Sequence, residues 1–184
     1  MREDSGADAA ETRLNRLLNL ILEMAVDVLG FDAATVTARH PDRSLSTIAA
    51  TDQRLLDLDN AQYESGMGSS FRAAVESMPE SAAAMFALAD QPLLAAADYR
   101  RLLDAYRAQA AGIVSVRYGD VTAPPHLFDR RYFPELAVLE HGARPVLQRH
   151  QDDRHILHFS PELLLDIDTP EDYERAKALV SDER

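Results

Sequence analysis

An aspartate stands directly after a run of apolar residues, where it could bind a metal ion. The run reads MFALAD at residues 85–90 and is followed by Gln91 and Pro92. Its length and continuity are typical of a strand buried on both faces, and Pro92 cannot continue the pairing because it has no N–H to donate. The stretch therefore predicts a central strand with Asp90 at its carboxyl end, the edge where open α/β sheets bind ligands.

Two further acids lie near the C-terminus, in the stretch LLLDIDTPEDY at residues 163–173. If this stretch begins as a strand, Asp166 and Asp168 point to the same face. One of them could then reach a metal ion held by Asp90, and the sequence leaves open which one. Because Mg²⁺ is typically bound by one or two carboxylates together with water and substrate phosphates, these acids predict a magnesium site.

The start of a helix would also account for the acids of this stretch, without any metal ion. Thr169 is a good helix-capping residue, Pro170 suits the first helical position, and acids in the first turn complement the helix dipole. Asp168 then simply leads into a helix. This alternative stands beside the metal-binding interpretation.

A short glycine- and serine-rich motif, GMGSS, precedes a predicted helix. The N–H groups and hydroxyls of Gly68, Ser69 and Ser70 could contact a phosphate or the edge of a nucleobase. The motif alone favours the alternative, in which a serine caps the helix and the glycines form a flexible lead.

The histidines and one arginine are interpreted as structural. His126 follows two prolines and is predicted to lie at the surface or in a turn. His150, His155 and His158 lack the i, i+4 pairing of a helical zinc motif. Arg144 opens a predicted helix, where it could contact an acceptor phosphate, although an exposed position is the default interpretation.

Composition limits the chemistry available to the chain. Its 184 residues carry a formal net charge of -12 and include no cysteine and a single lysine, Lys177. Disulfides, zinc–thiolate sites and cysteine nucleophiles are therefore excluded, and a lysine Schiff base is disfavoured. No basic stripe favours nucleic-acid binding, and no apolar run suits a membrane span or a signal peptide, so we expect a cytoplasmic protein.

The pattern of elements changes near residue 66. Residues 12–30 have the spacing of an amphipathic helix, whose apolar stripe favours self-association, and a hairpin is predicted at residues 33–38 and 45–50, followed by a short helix. After residue 66, helices alternate with strands, which predicts a parallel or mixed sheet covered on both sides. Residues 1–11 are expected to be disordered. The later predictions include helices over residues 97–110 and 133–142 and strands at GIVSVRY and LLLDI.

Residues 66–180 resemble the C-terminal two-thirds of the MobA-like NTP transferases, and most closely the molybdenum cofactor cytidylyltransferases. The resemblance lies in GMGSSFRAAV, LADQPLL, GARPVLQRH and LLLDIDTPEDYERA, and in their order and spacing. It implies an incomplete Rossmann-like α/β fold with a mixed sheet. It also implies transfer of a nucleotidyl group from a nucleoside triphosphate to a small phosphorylated acceptor, with Mg²⁺ held by Asp90 and by Asp166 or Asp168.

Residues 12–66 resemble the first half of a GAF domain, on the stretch LGFDAATVTARHPDRSLSTIAATDQRLLDLDNAQYESG. This resemblance implies an α+β helix–hairpin–helix fragment, so the predicted domains are residues 12–65 and 66–184. The glycine-rich nucleotide loop of the transferases and its lysine are not found, which implies weakened nucleotide binding. Two alternatives to an enzyme follow: a non-catalytic remnant that binds a partner, and a GAF-like sensory module.

Overall fold

The chain forms two compact units, Met1–Pro79 with Leu136–Gly142 and Glu80–Glu135 with Ala143–Arg184. The computed structural model describes residues 26–27, 35–39, 45–50, 67–88, 90–108 and 111–182. The helix predicted over residues 12–30 lies outside the described residues except for Val26 and Asp27, which are helical. The short helix predicted after the hairpin, and the N-terminal segment expected to be disordered, also lie outside them.

The first unit contains a hairpin and a helix. Strands β1 (Thr35–Arg39) and β2 (Leu45–Ala50) pair antiparallel, which confirms the predicted hairpin. Helix α1 spans Met67–Ser77 and buries Phe71 and Val75, which are four residues apart and therefore lie on the same helix face.

The second unit is built on a four-stranded mixed sheet in the order β3-β5-β4-β6. Strand β5 runs antiparallel to both β3 and β4, and β6 runs parallel to β4. Strands β3, β4 and β6 therefore share one direction, and their carboxyl ends meet at one edge of the sheet. The bounds of these strands are β3 Ala83–Phe86, β4 Ile113–Tyr118, β5 Val121–Asp129 and β6 Arg154–Phe159.

Strand β3 differs from the prediction in its position and its length. Within the described sheet it is the edge strand rather than a central one, and it ends at Phe86, four residues before Asp90. Only Ala84 of its residues is buried. A short apolar run does not distinguish a doubly covered strand from an edge strand followed by a loop, because both have the same local sequence pattern.

Helices connect the strands of the second unit. Helix α2 packs on β4 and β5 and buries Leu102 and Leu103. A two-residue turn joins β4 to β5. Its first residue, Gly119, has a φ of 57°, a positive value that glycine adopts without strain. The helices are α2 Ala96–Ala108, α3 Phe133–Leu136, α4 Arg144–Arg149 and α5 Pro170–Asp182.

The helix predicted over residues 133–142 is much shorter in the structure, since α3 ends at Leu136. The chain after it packs on α1 instead of continuing the helix. The Ala137 carbonyl accepts a hydrogen bond of 2.6 Å from Arg72 Nε. A Cβ added at Gly68 would lie 2.0 Å from the Leu139 carbonyl oxygen, so the two backbones are too close for any side chain at position 68.

Gly68→Ala is therefore expected to destabilise the protein by about 1–3 kcal/mol, the usual cost of overpacking, because the clash is with backbone atoms. Urea unfolding measures the change. Without the close approach, alanine in a helix would stabilise the protein by up to about 1 kcal/mol. An increase in the free energy of unfolding would therefore contradict this packing.

Asp153 joins three segments of the second unit. Its carboxylate accepts hydrogen bonds from the Tyr132 hydroxyl and from the Gly112 backbone N–H at 3.0 Å. Arg131 forms an ion pair with it, with a 2.8 Å separation between Nη2 and Oδ2. Partial burial would raise the pKa of Asp153, but these donors outweigh it and hold the pKa below its usual value.

Asp153→Ala is expected to cost about 2 kcal/mol of stability, because several donors to a charged group lose their acceptor together. The matched control is Asp152→Ala, which removes an exposed acid one residue earlier and should change stability by less than about 0.5 kcal/mol. Equal effects of the two substitutions in urea unfolding would show that the contacts of Asp153 do not contribute.

Candidate metal-binding site

Asp90 lies in the turn that follows β3 and is connected to the C-terminal acidic stretch through the backbone. The Asp90 carbonyl accepts a hydrogen bond of 2.9 Å from the backbone N–H of Ile167. Ile167 lies between Asp166 and Asp168, so this bond holds both acids beside the turn that carries Asp90. The structure therefore places the backbone of the C-terminal acidic stretch beside the turn that carries Asp90, and a shared metal site stays a prediction.

The C-terminal stretch is not the strand that was predicted. Residues 164–168 have no regular secondary structure, and a helical turn at Pro161–Leu163 precedes them. The two acids consequently differ in environment. Asp166 is half-buried, with its Oδ1 atom buried and without a hydrogen-bond partner, whereas Asp168 is exposed.

The structure confirms the helix start at Thr169. The Thr169 hydroxyl accepts a hydrogen bond of 3.2 Å from the Asp172 N–H, and Asp172 accepts bonds from the backbone N–H groups of Asp168 and Thr169. These reciprocal bonds form a capping box at the start of α5. They involve the backbone of Asp168 and leave its carboxylate exposed.

The acids affect each other electrostatically. Partial burial of the Asp90 carboxyl raises its pKa, a backbone hydrogen bond lowers it, and the negative charges of Asp166 and Asp168 raise it further. The net pKa of Asp90 lies above its usual value. A cation placed among these groups would remove the repulsion and favour the ionised form.

Gln91 is a further polar residue of this turn that the sequence analysis did not select. Only 4% of it is exposed, and its amide nitrogen and oxygen are both buried without a partner. A carboxamide directly after Asp90 in ADQP was the available signal. Buried polar groups normally have partners, so Gln91 and Asp166 Oδ1 leave hydrogen-bonding capacity unused beside Asp90.

These residues fit a cation that completes its coordination with other ligands. In the part of the chain that the structure describes, no group of three or more His, Asp or Glu side chains could hold an ion by itself. Mg²⁺ does not require such a group, since it usually takes one or two carboxylates and keeps water and phosphate oxygens as its other ligands.

The glycine–serine motif lies in the first unit. Gly68 and Ser69 are buried and Ser70 is half-buried, in the first turns of α1. The close approach to Leu139 explains the need for glycine at position 68 by packing. Anion binding by these three residues stays a prediction.

The structure places the histidines and Arg144 of the sequence analysis in different environments. His126 is not at the surface: it lies on β5, where it pairs with Phe86 of β3 and Ser115 of β4, and it is 5% exposed. His150 is structural as expected, since its Nε2 lies 2.8 Å from Glu135 Oε1 and its ring contacts Tyr132. His158 and Arg144 are exposed, and His155 is half-buried on β6.

Among the described residues, none of the helices has both the length and the apolar character that a membrane span requires.

Comparisons with known proteins identify relatives of the chain. The model of the MobA-like NTP transferase domain matches residues 10–155. Two crystal structures of Rv0371c from Mycobacterium tuberculosis H37Rv are similar, one of them described as a complex with manganese. They show 31% and 32% identity, TM-scores of 0.49 and 0.48, and coverage of 59% and 58% of this chain and 56% and 58% of theirs.

The Rv0371c homolog from Mycobacterium sp. strain JC1 is 24% identical with a TM-score of 0.50, and the match covers 62% of this chain and 59% of that one. The chain thus spans less than three-fifths of the length of these structures. A search of curated proteins found no significant match.

The family match also bears on the N-terminal segment. It begins at residue 10 and so includes the segment for which a GAF-like resemblance was stated, and none of the comparisons supports that resemblance. The domain boundary near residue 66 stays a prediction. Since the match covers well over half of the 184 residues, the chain belongs to the MobA-like NTP transferase family.

Proposed function

We propose that the chain is a nucleotidyltransferase that transfers a nucleotidyl group from a nucleoside triphosphate to a small phosphorylated acceptor of the molybdenum-cofactor type. Mg²⁺ is the proposed metal, held by Asp90 and Asp166. The observation that supports the proposal is the Ile167–Asp90 backbone hydrogen bond, which joins two acid-bearing stretches that are distant in sequence.

Asp166 is a better second ligand than Asp168. Its Oδ1 is buried beside Asp90 without a partner, so coordination of a cation would satisfy it. Asp168 is exposed and precedes the helix cap. Its negative charge still contributes to the raised pKa of Asp90 and would attract a cation to the same turn.

Nucleotidyl transfer places particular demands on these residues. Displacement at the α-phosphorus needs alignment of the reacting groups and neutralisation of phosphate charge, with little covalent chemistry from the protein. A bound Mg²⁺ would supply charge neutralisation. Asp90 and Asp166 would hold the cation, and the Gln91 carboxamide is suited to donate to a phosphate or to a metal-bound water.

Calorimetric titration with CTP, GTP and ATP, each with and without Mg²⁺, tests the proposal. We expect heat from at least one nucleotide, with a strong dependence on Mg²⁺. The comparison among the three nucleotides identifies the preferred base. If none of them binds at millimolar concentration, the enzyme interpretation fails and the non-catalytic alternative takes its place.

The acceptor requires a separate measurement. Release of pyrophosphate in the presence of the nucleotide and a candidate phosphorylated acceptor would report transfer. The chain could bind nucleotide and yet release no pyrophosphate with any of the phosphorylated acceptors tested. That result would support the metal site and contradict the proposed class of acceptor.

A further inference from the structure

Three polar side chains in the second unit each have a buried atom that lacks a hydrogen-bond partner. These atoms are Ser115 Oγ, His126 Nδ1 and Arg154 Nε. Ser115 is fully buried and His126 is 5% exposed. Because an unmet hydrogen bond is costly in a buried group, such atoms in native proteins nearly always have a partner, whether protein, water or ligand.

The strand register places these side chains on one face of the sheet. Ser115 of β4 pairs directly with His126 of β5, and Arg154 of β6 pairs with Ile113, two residues before Ser115. Paired residues point to the same face, and so do residues two apart on a strand. Burial lowers the pKa of His126, a hydrogen bond with the Pro125 backbone opposes that shift, and the positive charge of Arg154 lowers the pKa further.

The neighbours of these residues on the same face are apolar. Phe128 pairs with Ile113 and lies against the His126 ring at a centroid distance of 6.3 Å. Phe86 pairs with His126 from the other side. A hydroxyl, an imidazole and a guanidinium therefore interrupt a hydrophobic surface, which is an expensive arrangement unless the polar groups share a ligand.

Arg154 carries a charge without an acidic partner. Its Nη1 donates to the Leu147 carbonyl at 3.2 Å, which satisfies one donor but not the charge. No ion pair joins Arg154 to an acid in the described part of the chain. Arg154 is half-buried and its Nε–H is buried without an acceptor, so an anion would meet both the hydrogen bond and the charge.

We propose that Ser115, His126 and Arg154 bind a small oxyanion, either a carboxylate or a phosphate oxygen. The Ser115 hydroxyl and Arg154 Nε–H each donate one hydrogen bond, and the neutral His126 ring donates from Nδ1 in the matching tautomer. The guanidinium supplies the opposite charge. A hydrogen bond between ionised groups is stronger than a neutral one, so Arg154 contributes most of the affinity.

This oxyanion site uses none of the residues assigned to the metal. Asp90 and Asp166 lie in the turn after β3 and in the stretch before α5, whereas the oxyanion site uses side chains within β4, β5 and β6. The two proposals therefore fail independently. Loss of nucleotide binding says nothing about the oxyanion site.

Nuclear magnetic resonance of the His126 ring in the full chain tests the proposal. Sodium formate and inorganic phosphate are titrated separately, with sodium chloride at the same ionic strength as the reference. We expect a saturable shift of the His126 ring signals with at least one of the two anions. The stronger of the two identifies the source as a carboxylate or as a phosphate.

Two arginine variants decide the role of Arg154. Arg154→Gln should weaken anion binding roughly tenfold, the factor expected when one hydrogen bond to a charged group is lost. Arg107→Gln removes the same charge from an exposed position on α2 and should leave the affinity unchanged. No saturable shift in the native chain, or equal affinity in Arg154→Gln, overturns the proposal.

Ser115→Ala keeps the test decisive if Arg154→Gln does not fold. This substitution removes one orphan hydroxyl from a buried strand position and should weaken anion binding several-fold, since one neutral donor is lost. An unchanged affinity in Ser115→Ala would exclude the hydroxyl from the site and overturn the three-residue arrangement.

Discussion

Asp90→Asn is expected to remove the Mg²⁺ dependence of nucleotide binding while the protein remains folded. The substitution keeps the shape of the side chain and removes the charge that would hold the metal. Nucleotide affinity in the presence of Mg²⁺ should fall roughly hundredfold, or about 3 kcal/mol, because the phosphates lose their neutralising cation. Calorimetry with and without Mg²⁺ measures the change.

Asp104→Asn is the matched control, since it neutralises an exposed acid on α2 in the same unit. It should leave the Mg²⁺ dependence intact. A Mg²⁺ dependence that survives Asp90→Asn would remove Asp90 as a metal ligand. The same loss in both variants would point to the overall negative charge of the chain rather than to a specific ligand.

Asp90→Asn is expected to weaken nucleotide binding but to increase the stability of the metal-free protein. Its pKa is raised in the folded protein, by partial burial and then by the charges of Asp166 and Asp168. A carboxyl group whose pKa is higher in the folded than in the unfolded chain lowers stability once the pH exceeds that pKa, because the group ionises more easily in the unfolded chain. Asp90→Asn should therefore stabilise the metal-free protein, and Mg²⁺ should stabilise the native chain but not the variant.

The raised pKa also predicts how metal binding depends on pH. Mg²⁺ must displace the proton from Asp90, so the Mg²⁺-dependent part of nucleotide affinity should increase as the pH rises through that pKa. In Asp90→Asn this increase should be absent. A pH profile that is identical in the two proteins would assign the titration to another group.

The local spacing of apolar residues was sufficient to predict the helices and strands that bury one face in a hydrophobic core. The helices α1 and α2 and the strand β4 follow from apolar spacing and continuity, because burial of a face imposes its period on the sequence. The helix start at Thr169 follows from capping chemistry confined to four residues. In each case the physical cause is contained within the stretch itself.

The failures have non-local causes. Helix α3 ends at Leu136 because the next residues bond to α1, which lies some sixty residues earlier in the chain. The LLLDI stretch resembles a strand, yet Ile167 N–H bonds to the carbonyl of a turn rather than to a strand ladder. His126 follows prolines that suggest a turn, but its environment is set by pairing with Phe86 and Ser115.

The candidate metal site contains features that the sequence pattern predicted and features that it could not predict. The acid types at the end of one predicted strand and along another predicted that Asp90 shares a site with Asp166 or Asp168, and the structure joins the two stretches by the Ile167–Asp90 backbone hydrogen bond. Metal binding by these acids stays a prediction. The different environments of Asp166 and Asp168, and the buried Gln91, depend on how two loops pack. Loop packing of this kind has no period in the sequence, so no pattern could have revealed it.

Acidification is expected to destabilise the protein through His126 before most carboxylates are protonated. Burial holds the pKa of His126 at about 4, compared with 6.5 for the free side chain, and the Arg154 charge acts in the same direction. The unfolded chain therefore binds a proton at a pH where the folded chain does not. This contribution to stability is complete above about pH 6.5 and is lost as the pH falls toward about 4.

The expected loss is about 2 kcal/mol between roughly pH 7 and pH 5, and about 3 kcal/mol at the lower limit. Urea unfolding at several pH values in this window measures it, before Asp and Glu begin to contribute. His126→Leu removes the proton acceptor and should abolish the slope, although the altered packing changes the stability at every pH. His158→Leu removes an exposed histidine from β6 and should keep the slope. If the stability of the native chain does not change over this window, His126 must be reachable by solvent or already paired with a group that accepts its charge.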